Sequence, residues 1–243
     1  MVKKIGLTFL LLFVIVHSSF SQSYQAKYRD TSSWGLFVGG NLLDFSVNGV
    51  VNNKYQIYTG PFENYQGWEV GVAHKRQFDK FYVQGSLSYL QNTYFVQFRN
   101  MNPEEDTAFG TGRVWVYTGP IYQLKRFSAS AIVGTNLTSF LRIQAGLVAS
   151  YHTKDRFYGN KTAEFLANKA NSEDRILFKY ADSINRFGAS GLIGLGVDLG
   201  KFTVDGFYES TITPYSKYTD LNNQSFPLIQ RYKIYKVRLG YNF

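Results

Sequence analysis

The 243-residue chain contains no cysteine. Disulfides, thiol catalysis, a cysteine-linked lipid anchor and Cys-ligated zinc are thereby excluded, and the fold must hold by packing and hydrogen bonds. Histidine is scarce at 3, and His17 falls in the apolar N-terminal stretch, leaving His74 and His152 too few to assemble a zinc site. After residues 5–16 no run approaches the roughly 18 uninterrupted apolar residues of a membrane helix, so membrane insertion, if it occurs, proceeds through strands. No phosphate-cradling glycine loop, nucleophile elbow or dinucleotide fingerprint is found. The glycines of "GLIGLG" (Gly191 to Gly196) fit close packing within a strand. No cofactor or metal is expected.

What is present points toward strands and export. Tyr 19, Phe 21 and Trp 3 make 18% of the chain aromatic, and Gly 22 stands against Pro 5, a balance of strands and tight turns. Mean hydropathy is −0.21, as expected where strands present an apolar face to lipid and a polar face to a lumen. The start "MVKKIGLTFLLLFVIVHSSFSQS" sets Lys3 and Lys4 before an apolar run and then Ser19 and Ser21, the pattern of a signal peptide cleaved after Ser21. The expected organisation is a signal peptide at 1–21, an N-terminal periplasmic segment at 22–33 and a barrel over 34–243. The formal net charge of +9 is scattered along an exported chain, so anionic lipid headgroups, not nucleic acid, are the expected counter-charge.

Eight alternating segments are readable: about 34–47, 65–78, 81–98, two within 113–151, then 186–199, 202–213 and a last one to Phe243. The continuous stretch 113–151 divides at "LKR" or at "TNLTS"; using both turns, with "RILFKY" as a further strand, gives ten. The connections "DK" and "GK" are short, whereas 48–64, 99–111, 152–185 and 214–230 are long and polar; "KTAEFLANKANSED" within the third suggests a short helix. Short turns alternating with long loops fit an all-β, antiparallel up-and-down transmembrane β-barrel of 8 strands (alternative 10), with its termini and turns on the periplasmic side of the outer membrane.

The closing stretch "YKIYKVRLGYNF" places Tyr235, Val237, Leu239, Tyr241 and Phe243 in one register. A last strand of alternating aromatics ending in Phe looks like the signal read by barrel-assembly machinery. The chain resembles the PorT-like outer-membrane β-barrel proteins of Gram-negative bacteria in length, strand rhythm, the strand "FLRIQAGLVASY" and the ending "VRLGYNF". The resemblance implies an outer-membrane barrel and does not imply a part in a secretion system.

The opposite registers collect charge: Glu69, Lys75, Arg142, Asp205, Glu209, Lys236 and Arg238 are all expected to face the lumen. Eight strands leave room only for side chains, so acids and bases there form a structural plug, with a narrow porin-like ion path as the sharper alternative. Ser150, His152 and Asp155 are the one arrangement that a lipid A-modifying enzyme could use. With no motif beside them, an interfacial polar residue is the better reading of His152, and no catalytic residue is assigned. The expected protein is a non-enzymatic monomer with a structural, accessory or loop-mediated binding role. Its expected partners are outer-membrane lipid and lipopolysaccharide, the barrel-assembly machinery and a protein met through the external loops. A secreted lipocalin-like barrel, with the apolar register inside, is the alternative of another class.

Overall fold

The computed structural model describes residues 31–51, 55–58, 65–100, 116–153, 184–221 and 224–243. The expected signal peptide, the helix in 152–185 and the "RILFKY" strand lie outside them. The described chain forms ten strands: β1 (Thr31–Val51), β2 (Tyr55–Tyr58), β3 (Tyr65–Phe78), β4 (Phe81–Asn100), β5 (Val116–Asn136), β6 (Leu141–His152), β7 (Phe187–Leu199), β8 (Phe202–Thr211), β9 (Ser216–Leu221) and β10 (Gln224–Asn242).

Eight of them, β1, β3 to β8 and β10, pair antiparallel with both neighbours into a closed barrel. Closure comes from β1 and β10, in register from Gly35 opposite Asn242 to Asn48 opposite Ile229. At the rim the Phe243 amide donates to the Trp34 carbonyl at 2.9 Å. Closure matters because an open edge would leave a row of unpaired amides and carbonyls. The strands β2 and β9 are short additions outside the eight: β2 bridges β1 and β4, and β9 pairs with the start of β10.

The hairpin turns fall where the sequence places them. Asp79 and Gly200, both at positive φ (52° and 70°), make the tight β3–β4 and β7–β8 turns. The chain between β5 and β6 turns at residues 137–140, in "TNLTS", where the Thr138 side chain accepts from the Leu141 amide at 3.0 Å. "LKR" lies inside β5 instead. Several expected loops are shorter than read: β1 runs to Val51, β4 to Asn100, and β10 starts at Gln224. Polar composition suggested loops there, but the strand ladders continue through these residues.

Alternation is strict and inverted relative to a water-soluble barrel. Outside lie Leu36, Val38, Val70, Val83, Leu87, Val133, Leu147, Ile193, Leu195, Val237 and Leu239, all exposed. Two aromatic bands bound this surface. At the turn side stand Trp34, Phe78, Phe81, Phe202, Tyr241 and Phe243. Toward the loop side, Tyr89, Phe127, Tyr151 and Phe187 occupy one continuous cross-strand register. Neighbouring rings there lie about 5 Å apart, as in Trp68–Tyr89 at 5.5 Å and Tyr151–Phe187 at 5.3 Å. From Phe81 to Tyr89, at a rise of about 3.3 Å per residue and a tilt near 40°, the apolar belt is about 20 Å tall, close to the hydrocarbon band of an outer membrane.

Candidate functional site

The interior holds what a soluble protein would put outside. All seven charged residues expected in the lumen project into it, and two that sequence reasoning left out, Arg126 and Asp198, complete their pairing. The lumen is filled in three layers.

The layer nearest the turns is built by β3, β6, β7 and β8. Arg142 reaches Asp205 at 2.6 Å and also pairs with Asp198, while Gln144 donates to the same Asp205 oxygen at 2.8 Å. The Tyr82 hydroxyl donates to Gln144 at 2.8 Å. Lys75 lies 3.6 Å from Asp198, with 16% and 27% of the two side chains exposed, so this pair marks the wet end of the lumen. The inward glycines answer to these large neighbours. A Cβ on Gly134 would fall onto the Tyr82 ring, and one on Gly196 onto Arg142 and Asp205. With the clash of a Gly194 Cβ against Phe207, the Gly196 contact gives the physical reason for these two glycines of "GLIGLG".

The central layer is a five-membered ion network. Glu69 on β3 accepts two bonds from the Arg238 guanidinium, at 2.9 and 3.0 Å, and one from Ser88 at 2.8 Å. Lys236 stands between two carboxylates, 3.4 Å from Glu69 and 2.6 Å from Glu209. Glu209 is gripped from the other side by both terminal nitrogens of Arg126, at 2.6 and 2.7 Å. Arg238 is further sandwiched by Phe37 and Phe207, with ring centroids at 4.5 and 4.7 Å. Arg126 and Glu209 are both 0% exposed, so neither reaches bulk solvent. Alternation explains the layout: β10 delivers Lys236 and Arg238 two residues apart on one face, and its neighbour β8 delivers Asp205 and Glu209.

The layer nearest the loops is aromatic. Phe45 stacks on Tyr94 at 4.4 Å, Tyr215 meets Phe45 edge-on at 5.7 Å, and Tyr232 meets Tyr215 at 5.8 Å. Leu43, Leu90, Leu124 and Ile234 fill the space around them. His152 belongs here, which corrects its expected place at the interface. It occupies the inward register with Arg142, Gln144, Val148 and Ser150, and it is buried. Its ring touches Tyr215 at 4.9 Å and bonds Tyr232 and the Asn185 carbonyl. Ser150 bonds the Gly188 carbonyl at 3.3 Å, and Asp155 lies outside the described residues. His74 faces outward at the turn side, 2.6 Å from the Ser32 hydroxyl and against Trp34.

Arg126 could have been found by parity alone, because it shares its face with Ser128, Ser130 and Ile132. Leaving the division of 113–151 open between "LKR" and "TNLTS" hid it. Chemically, the arrangement is a cross-braced plug: charges on β3, β5, β6, β7, β8 and β10 are tied across the barrel axis, and no acid, base and nucleophile meet at an accessible point among the described residues.

On the last strand, Tyr235, Val237, Leu239, Tyr241 and Phe243 all stand exposed on the outer surface.

No family model and no curated protein sequence matches this chain. Solved structures do. Ail, the attachment invasion locus protein of Yersinia pestis, in complex with the heparin analogue sucrose octasulfate, is similar at 13% identity over 87% of this chain and 97% of its own, with a TM-score of 0.41. Neisserial surface protein A is similar at 10% identity over 88% of this chain and 100% of its own, with a TM-score of 0.43. The outer membrane protein AlkL, determined in lipid bilayers, gives 12%, 92%, 97% and 0.41 in the same order. At identities and TM-scores this low, the likeness concerns strand arrangement only.

Proposed function

We propose that this chain is an integral outer-membrane β-barrel protein with no enzymatic activity, whose lumen is a structural plug and whose contacts with other molecules are made through the loop-side connections. One observation carries the reading: a closed barrel that exposes an apolar belt between two aromatic bands while burying an ion network inside. Hydrocarbon rewards that inversion and water penalises it. The same inversion disfavours a secreted lipocalin-like barrel, which needs its apolar register inside. The resemblance of "FLRIQAGLVASY" and "VRLGYNF" to PorT-like proteins supports the finer family assignment, export by the N-terminal signal peptide, and recognition of the last strand by barrel-assembly machinery. Outer-membrane lipid and lipopolysaccharide contact the belt, and the long loops are where a protein partner would bind.

The test uses the membrane fraction of expressing cells, solubilised in detergent and run on a denaturing gel with and without boiling. Faster migration of the unboiled sample is the expected result. A protein in the soluble fraction that shows no shift overturns the proposal. The plug is tested separately in a planar bilayer, where no steady conductance is expected and regular current steps would favour a channel. An altered lipid A mass spectrum that returns to normal in His152→Ala would favour the enzyme.

A further inference from the structure

His152 does more than fill space, because its two ring nitrogens join different parts of the molecule. Nδ1 lies 3.0 Å from the Asn185 carbonyl, an acceptor, so Nδ1 carries the proton and donates. Nε2 is then a lone pair and accepts from the Tyr232 hydroxyl at 3.2 Å. The Tyr232 oxygen accepts in turn from Arg126 Nη1 at 2.8 Å, and Arg126 is locked to Glu209. Every proton in this relay has one place to go, and the relay needs a neutral imidazole.

Asn185 lies at the start of the described stretch 184–221, just ahead of β7. Around it, main-chain bonds gather: the His152 amide donates to the Arg186 carbonyl at 2.7 Å, the Asn185 amide to the Tyr215 carbonyl at 2.7 Å, and the Tyr215 amide to the Gln230 carbonyl at 2.8 Å. The Asn185 side chain donates to the Pro214 carbonyl at 2.9 Å, and Ile184 bridges Ser216. His152 therefore ties residues 184–186 both to the 214–216 segment beside them and to the ion network below.

We propose that His152 is a proton-operated latch at the loop-side mouth, holding residues 184–186 against the barrel while neutral and releasing them when protonated. The inference rests on reading the loop side as the external side. A second proton on Nε2 removes the acceptor of the Tyr232 hydroxyl and sets a donor against an oxygen that already receives Arg126. Among the described residues, the charged and titratable groups facing the ring offer no compensation. From β5 comes the cation Arg126; from β10 come Tyr232 and, behind it, the cation Lys236; Tyr215 meets the ring edge to face, and Arg186 of the 184–186 segment is exposed and adds only another cation. From β8 comes Glu209, the one carboxylate near the ring among the described residues, and it is already shared by Arg126 and Lys236. On the β7 side the ring meets Gly188, with no charge to offer. An imidazolium here is a third cation against a shared carboxylate, and the cheapest relief is for the mouth to open to water.

Hydrogen exchange of the full chain in detergent, read by mass spectrometry, tests this. Protection of peptides covering 184–186 and 213–216 is measured against the β3–β4 hairpin of the same sample, which cancels the intrinsic pH dependence of exchange. Between about pH 7.5 and about pH 4.5, relative protection at the mouth is expected to fall at least about tenfold, and His152→Gln is expected to abolish the fall. Unchanged protection in the native chain, or an equal fall in His152→Gln, overturns the latch. Should that variant not fold, Tyr232→Phe serves: it takes away the hydroxyl whose proton needs the neutral ring, so the fall in relative protection between the two pH values is expected to shrink, and a fall as large as in the native chain refutes the role of the relay. The boiling-dependent gel shift, run at both pH values, separates failure of the latch from failure of the barrel reading.

Discussion

Removing the Glu209 carboxylate is the sharpest probe of the plug. In Glu209→Ala, Arg126 keeps the Tyr232 hydroxyl as its remaining side-chain partner among the described residues, and Lys236 keeps Glu69 at the longer distance of 3.4 Å. Both cations are buried in the native chain, so the loss of Glu209 strands them. Breaking a buried pair in this way costs about 3–5 kcal/mol, most of it the penalty of the stranded charge and not the value of the pair itself. The double variant Arg126→Met/Glu209→Met removes both charges of the bidentate grip and keeps much of the volume, so it is expected to recover at least half of the loss, since well-packed apolar replacements of buried pairs are often neutral or better. Lys75→Ala is the control: its pair with Asp198 is partly wet, and the expected cost is below about 1 kcal/mol. The assay is urea unfolding of the chain folded into lipid vesicles, followed by tryptophan fluorescence, to which Trp34 and Trp68 on the outer surface contribute. A Glu209→Ala cost under about 1 kcal/mol, or a double variant as unstable as the two single losses added together, would refute the cross-braced lumen.

Two further outcomes concern the wall itself. Leu147→Arg places a charge in the middle of the apolar belt and is expected to cost about 2–4 kcal/mol in the same vesicle assay, whereas a water-facing leucine would tolerate the change. Gly134→Val pushes a side chain onto the Tyr82 ring and should displace the hydroxyl from Gln144, costing about 1–3 kcal/mol; Tyr82→Ala in the same chain should recover part of that loss, and additive costs would count against the contact.

The parts of this architecture that the sequence disclosed are those where one face is mostly apolar and the other mostly polar. In the middle of β3 and β4, Trp68, Val70, Val83 and Leu87 point outward and Glu69, Gln84, Ser86 and Ser88 inward, so register and facing followed from period two. In β5 the signal weakens. Leu124 and Ile132 point inward beside Arg126, while Phe127 and Val133 point outward, so apolar residues occupy both registers. The lumen there packs aliphatic groups against the ion network, as the buried cluster of Ile132, Val148, Leu192 and Phe207 shows. That mixture hid Arg126. His152 was obscured differently: it borders the polar run "TKD", which resembles a rim, yet counting in twos from Arg142 places it inside. The upward continuation of β1, β4 and β10 left little trace, because above the belt there is no lipid to impose a pattern.

Closure of the wall by β1 and β10 has a consequence for the order of assembly. Every other neighbouring pair among the eight is joined by one connection, whereas Gly35 and Asn242 lie about 200 residues apart in the chain. Bringing such distant ends together from an open coil costs about 2–3 kcal/mol more entropy than closing a hairpin of about ten residues, at roughly 0.6 kcal/mol per doubling of length. Seven sequential pairings, each curling the sheet further, shorten that search before the last one forms. The seam is therefore the step at which an incomplete barrel carries two open edges, on β1 and on β10, and at which zipping Asn242 to Gly35 removes both at once.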